Sequence, residues 1–455
     1  PTRDQFPGSP ESKEFPDVTD SASSPPPLAE ASPIPVVAGN GSLASGERIL
    51  GTMSIGQLAL WMIHQRAPQG PAYNFAFAAR TTRSIDLAAM TKACQSLVKR
   101  HPVLRTSYRL DGNTAVRVLS ESIDVSISEK DCRDWKEARI VDWIRREADR
   151  PFDLRRGPVI RFSLLRCRSG DVLSIAMHHI AADLWSMDVL IQELIDLYAM
   201  IVGGGSIELG PLPTTYDAYV DWERELDDSD EGSRLWNFWQ EKLEGAPHVL
   251  ALPTTYPRPP EQSFQGSSLE WTVPTEVVDG LRDVAHAERA TMFTIVLAAY
   301  QVFLARICNQ DDLLVGTVSA SRGRSEWEGI VGYFLNQLVL RTRISGTPSY
   351  REVLRDTQRE VLDALENQAF PFAKLVERLR PARDASRSPL VQTMFIWDKP
   401  RHLQESHFAP GKSSDRLRLK PLLMEQRGAP FDLTLIVFEL EDELKLTFRY
   451  NTDLF

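Results

Sequence analysis

Met177-His178-His179-Ile180-Ala181-Ala182-Asp183-Leu184-Trp185-Ser186 sets two adjacent histidines at the end of an apolar run and a carboxylate four residues after the second. Val172 to Met177 reads as a strand, so period-two geometry puts His178 and His179 on opposite faces. One imidazole can then face a cleft while the other packs inward. After Ser186 the apolar period becomes helical, through Val189, Leu190, Leu194, Leu197 and Tyr198. Ser186 suits an N-cap and Asp188 the first turn of that helix. An imidazole at a strand end, over a turn that holds an aspartate, is well placed for general-base work near neutral pH. Most histidines at strand ends are structural, so the motif alone does not decide. No metal site is expected, because His-His-x3-Asp is not the i, i+4 pair of a zinc helix. Cys94, Cys132, Cys167 and Cys308 also form no compact cluster.

Working outward, the 455 residues carry ordinary globular composition, enough for two sizeable cores. A net charge of -10 argues against a nucleic-acid partner. The dispersed cysteines suit reduced thiols of a cytoplasmic protein. No signal peptide is evident, and Met292 to Ile307 is too short and too polar for a membrane span. A chain opening on Pro1 is expected to be a piece of something larger. Residues 1–48, rich in Pro and Ser, read as a disordered linker.

Helices are expected at Leu58–Ile63, Leu87–Lys99 and Trp135–Ala148, with hairpins at Arg105–Leu119 and Val159–His178. A Gly/Pro cluster at 203–213 marks a boundary, giving an N-terminal lobe at 49–210 and a C-terminal lobe at 211–455. Trp222–Leu243 reads as one helix. Helices at 275–288, 291–307 and 349–366 then alternate with strands at 268–273, 313–319, 337–343, 392–397, 432–439 and 443–450. The fold class is α+β, two lobes with a cleft between them.

Seven segments in order resemble the motifs of condensation domains of nonribosomal peptide synthetases and hybrid polyketide/peptide synthases, in the chloramphenicol-acetyltransferase-like superfamily. They are Ser54–Trp61, Arg100–Thr106, the histidine motif, Tyr216–Trp222, Val331–Arg341, Asn367–Phe372 and Arg383–Leu390. The likeness covers about residues 50–455. It implies two chloramphenicol-acetyltransferase-like lobes arranged as a V-shaped pseudo-dimer around a central tunnel. It implies amide formation between a carrier-bound acyl thioester and a carrier-bound aminoacyl acceptor. No cofactor would bind directly, since 4'-phosphopantetheine arms of upstream and downstream carrier proteins deliver both substrates. Adenylation domains, and a ketosynthase module in a hybrid line, would be neighbours.

On this resemblance His179 is the tunnel-facing base or hydrogen-bonding group, His178 is structural, and Asp183 pairs with an arginine, Arg105 or Arg322. Leu184, Trp185, Asn336 and Ser388 would contact substrate. Leu184 stands where the family usually has Gly, and Ser388 where Asn is common. The first change suggests a narrowed or reshaped tunnel and a polyketide-type or fatty acyl donor. Ester formation and epimerisation share the motif and remain alternatives. A cyclisation domain would carry an aspartate motif instead, and a non-catalytic relic would be expected to lose His179 or Asp183.

Overall fold

A computed structural model describes residues 43–455 except 44, 82, 206–208, 400–416, 423–427 and 441–442. Of the expected linker, residues 1–42 and 44 lie outside the described residues. Order begins before the expected limit at 48, since a strand already runs through Glu47 and Arg48.

The first lobe comprises β1 (Glu47–Thr52), α1 (Ile55–Arg66), β2 (Asn74–Thr81), α2 (Leu87–Arg100), β3 (Thr106–Asp111) and β4 (Thr114–Ser120). It continues through β5 (Ile127–Asp131), α3 (Glu137–Asp149), β6 (Ile160–Arg166), β7 (Val172–His178) and α4 (Leu184–Val202). Helices α5 (Tyr216–Asp227) and α6 (Asp230–Leu243) follow. The second lobe holds β8 (Gly266–Thr272), α7 (Thr275–Glu288), α8 (Met292–Cys308), β9 (Asp312–Ser319), β10 (Asn336–Arg343) and α9 (Tyr350–Glu366). It ends with α10 (Phe372–Leu379), β11 (Thr393–Asp398), β12 (Leu419–Pro421), β13 (Leu433–Glu439) and β14 (Leu444–Asn451).

Among the described residues three sheets form, ordered β1-β4-β3, β12-β2-β7-β6-β5 and β10-β9-β11-β13-β14-β8. Strand β7 is buried along its whole length, between β2 and β6. That is why it reads as a continuous apolar run. The apolar stripe of α2, Met90, Ala93, Cys94, Leu97 and Val98, is buried and packs on α4. Arg100 and His101 both reach Glu193 of α4, which ties the two helices together at that end.

Two expectations change. The single helix expected over Trp222–Leu243 is two helices. Ser229 caps the second by accepting from the Gly232 N–H at 3.0 Å. A side chain on Gly232 would meet the Leu226 carbonyl oxygen at 2.0 Å, so the sharp corner needs glycine. The lobe boundary is also not a clean cut at 210/211. Strand β12, late in the chain, pairs antiparallel with β2 through Leu419 and Thr81. Leu417 and Leu419 sit in the first lobe's core. β2 and β12 carry little signal in the sequence, the first because its alternation is blurred by alanines, the second because three residues show no periodicity.

Candidate active site

The histidine motif turns at its second histidine. His178 ends β7, and His179–Ala181 forms a single 3-10 turn before α4. The two imidazoles therefore separate as expected, and backbone groups give them opposite tautomers. The buried His178 Nδ1 accepts from the Ile180 N–H at 3.1 Å, which leaves its proton on Nε2. The His179 Nδ1 lies 3.2 Å from the Ala182 carbonyl oxygen and must donate, which leaves the Nε2 lone pair free. Burial holds the His179 pKa down to about 4, and the nearby Arg449 charge adds to the shift against the opposing pull of Asp183. The imidazole is thus neutral at physiological pH. Phe75 stacks on it with ring centres 4.3 Å apart, and Tyr333 approaches edge-on at 6.4 Å. The His179 backbone N–H is tied to the Tyr73 carbonyl at 2.8 Å.

Asp183, not Ser186, is the N-cap of α4; Ser186 is the third helical residue. The Asp183 Oδ1 accepts from the Ser186 N–H and lies 2.7 Å from its hydroxyl. Its Oδ2 accepts from the Phe334 N–H at 3.2 Å. Arg322 completes the set at 3.1 Å, and both side chains are almost wholly buried. Of the two arginines expected as partners, Arg322 makes the pair and Arg105 does not. Arg105 instead donates to the Ser120 carbonyl at 2.6 Å, because the turn after α2 points it along β4. Arg322 also holds the Ile330 carbonyl at 2.7 Å and lies 4.0 Å over the Phe334 ring. The carboxylate therefore ties the start of α4 to Arg322 and to the Phe334 backbone.

This lock spans the lobes. Ser186 Oγ accepts from the Gly332 N–H at 3.1 Å, and the Trp185 Nε1 donates to the Glu328 carbonyl at 2.8 Å. Tyr216 hydroxyl donates to the Tyr333 carbonyl at 2.8 Å and lies 3.1 Å from Ser54 Oγ. Trp185, expected to touch substrate, is thus occupied as an interlobe strut. Leu184 opens α4 with 38% of its surface exposed. Its backbone is not among the positive-φ positions, so glycine is not needed there for conformation. Asn336 departs from its expected tunnel-lining role. Its amide is spent on the Gln368 and Phe370 carbonyls and the Phe372 N–H, all at 2.8–2.9 Å. Ser388 donates to the Pro430 carbonyl at 3.2 Å and is half-buried in a loop before β11.

Residues missed in the sequence complete the geometry. Gln57, fully buried on α1, donates to the Ile180 carbonyl at 2.9 Å and to the Tyr108 hydroxyl at 3.2 Å. It thus steadies the turn that carries His179. Its signal was the Ser54-x-x-Gln57 spacing, a capping box that the structure forms. Phe75 and Arg449 had no signal, because their closeness to His179 is tertiary. No group of three or more His, Cys, Asp or Glu among the described residues could hold a metal. A 510 Å³ surface cavity lined by Lys242, Arg341 and Glu360 shares no residue with this site.

The condensation-domain family model matches residues 52–455. The chain belongs to that family. A linear gramicidin synthase of Brevibacillus parabrevis is 36% identical over 411 residues, which is 89% of this chain but 5% of that protein. Phosphinothricin tripeptide synthetase PhsC of Streptomyces viridochromogenes is 32% identical over 409 residues, 89% of this chain and 37% of it. The chain thus spans a small part of the curated relatives it matches. Among solved structures, holo-AB3403, a four-domain nonribosomal peptide synthetase, superposes with a TM-score of 0.79 at 26% identity, over 91% of this chain and 32% of that one. The condensation domain of the Monacolin K polyketide synthase MokA gives 0.77 at 20% identity, over 90% and 93%, a likeness of fold. The two-lobed α+β fold of condensation domains is therefore the fold of this chain. Such domains of synthetase assembly lines are amide-forming acyltransferases, and this condensation domain is an enzyme of that type.

Proposed function

We propose that His179 Nε2 is the group that serves the attacking amine when this condensation domain joins two carrier-bound substrates. The observation that carries the reading is the fixed tautomer: the Ala182 carbonyl holds the Nδ1 proton, so a neutral imidazole keeps its Nε2 lone pair. The acceptor α-amine attacks the donor thioester carbonyl, and the Nε2 receives or hydrogen-bonds the amine proton. A tetrahedral intermediate forms, and its collapse expels the donor thiolate, which takes a proton and leaves as the thiol. The new amide stays on the acceptor's thioester arm. Holding both partners on tethers lowers the entropic part of the barrier. His178 and Asp183 act as positioning residues, through the Ile180 N–H and through Arg322 respectively.

Phosphopantetheine arms of an upstream and a downstream carrier protein are the proposed delivery route, with an adenylation domain or a ketosynthase module as neighbours. A cytoplasmic location is supported by four free cysteines. The donor is proposed to be a polyketide-type or fatty acyl chain, a reading supported by the apolar, partly exposed Leu184 beside the Asp183 cap. Better turnover of an aminoacyl donor than of a simple acyl donor would count against that part.

The test is single-turnover transfer between loaded carriers, followed by intact-protein mass spectrometry. The acceptor carrier should gain the mass of the acyl group, and His179→Ala should slow this by about 10²–10⁴-fold. Undiminished transfer in the variant would remove His179 from the chemistry.

A further inference from the structure

Two of the four free thiols come together in the first lobe. Strands β5 and β6 run parallel and in register, from Ile127 opposite Phe162 to Asp131 opposite Arg166. Where the strands end, the Cys132 N–H donates to the Arg166 carbonyl at 2.9 Å and holds the two chains side by side. Cys132 and Cys167 are the next residues of each chain, one step beyond that last pair. Neighbours in register on adjacent strands have α-carbons about 5 Å apart and side chains on the same face. A disulfide needs α-carbons about 4.4–6.8 Å apart. Packing agrees with the shared face. Cys132 lies in the small core formed with Ile140 and Ile144 of α3, and Cys167 packs against that same core. Cys94 and Cys308 sit in the main cores of the first and second lobes, so neither competes for this pairing.

Accessibility separates the two sulfurs. Cys132 is 1% exposed, whereas Cys167 is half-buried at the end of β6. Burial raises the pKa of both thiols, that of Cys132 to about 11. Both are therefore protonated at neutral pH, and the pair is reduced at rest.

We propose that Cys132 and Cys167 are a modification site, a dithiol that a peroxide converts into a disulfide stapling β5 to β6. In the first step the more accessible Cys167 sulfur attacks one peroxide oxygen. The O–O bond breaks, the thiol proton leaves with the departing oxygen as water, and Cys167 becomes a sulfenic acid. The Cys132 sulfur then attacks the Cys167 sulfur and gives up its own proton. The S–O bond breaks, the S–S bond forms, and a second water leaves. Two thiols and one peroxide thus give one disulfide and two waters, with sulfur oxidised and peroxide oxygen reduced. β5 is the edge strand of its sheet among the described residues. The new bond closes a loop over residues 132–167 that contains the whole of α3. Closing such a loop restricts the unfolded chain and so stabilises the folded one. The inference is independent of the chemistry at His179.

The test is peptide mapping of the full chain, treated with hydrogen peroxide while folded and then alkylated in denaturant. The expected product is a single chain lighter by two hydrogen atoms, with Cys132 linked to Cys167 and with Cys94 and Cys308 alkylated. Dithiothreitol should restore four alkylatable thiols. The melting temperature of the oxidised chain should rise by several degrees, and amide exchange in β5 and α3 should slow. Cys132→Ala and Cys167→Ser should each form no cross-link and gain no stability from peroxide. Mapping the parent chain keeps the test independent of whether either variant folds. Oxygen added at Cys167 without a cross-link overturns the proposal, as does a link that involves Cys94 or Cys308, joins two chains or forms only in denaturant. An unchanged or lowered melting temperature of the cross-linked chain overturns the stapling.

Discussion

A neutral imidazole one turn away from a buried carboxylate is the residue-scale feature on which the proposed chemistry rests. With the His179 pKa near 4, its base form persists as pH falls from 8 to 5. The acceptor amine, with a pKa of about 8, should therefore set the rate profile. Single-turnover rates should rise with pH up to about 8 and show no inflection near the ordinary histidine value of about 6.5. For stability the sign is equally definite. The folded pKa lies below the unfolded one, so the contribution of His179 is whole above about 6.5 and fades as pH drops toward 4. His178, lowered in the same direction by burial, adds to that loss, and acid unfolding should begin correspondingly early. The Asp183–Arg322 pair is buried on both sides, so Arg322→Ala should cost about 3–5 kcal/mol in urea unfolding, with Asp183 left unpaired. The motif made His179 and Asp183 legible in the sequence. The choice of Arg322 over Arg105 was not, because the two candidates differ only in where the fold carries them.

At the scale of elements, α1, α5 and the segment before β10 meet at one corner. Glu223 of α5 accepts from the Ile55 N–H at 2.7 Å, at the N-terminus of α1. Burial lifts its carboxyl pKa to about 7, the helix end and the Tyr219 hydroxyl notwithstanding. A raised carboxyl pKa means that the folded state prefers the protonated form. Stability from this group is therefore whole below about 4.5 and is lost as pH rises to 7. Glu223→Gln should remove that dependence, and its stability relative to the parent should improve by roughly 2–4 kcal/mol between pH 4.5 and pH 8. Thermal melts across that range measure it. Gly332 is the other fixed point of the corner: a Cβ there would meet the Tyr216 ring at 2.1 Å. Gly332→Ala should cost about 1–3 kcal/mol by overpacking and should lower transfer by moving Tyr333 away from His179. Element limits were largely legible from periodicity, as with Leu87–Arg100 and the strand pair at 433–451. The break at Asp228–Ser229 was not, since apolar spacing runs on across it.

At the scale of the molecule, the lobes share a strand and a lock, so neither is an independent unit. Leu419 is buried in the first lobe's core although it lies 209 residues beyond the expected boundary at 210. A fragment ending at 210 should expose the β2 edge and show no cooperative unfolding transition, whereas the full chain should show one. Circular dichroism melts of the two would decide it. The sequence by itself determined the class of elements, the position of the histidine turn and the family. Each of these depends on local periodicity or on a short ordered motif. Only the tertiary structure decided which arginine meets Asp183, that Asn336 staples backbone, that β12 crosses to the first lobe, and that Gln57 reaches the Ile180 carbonyl. Those outcomes depend on contacts between residues distant in the chain, which leave no periodic trace in the sequence.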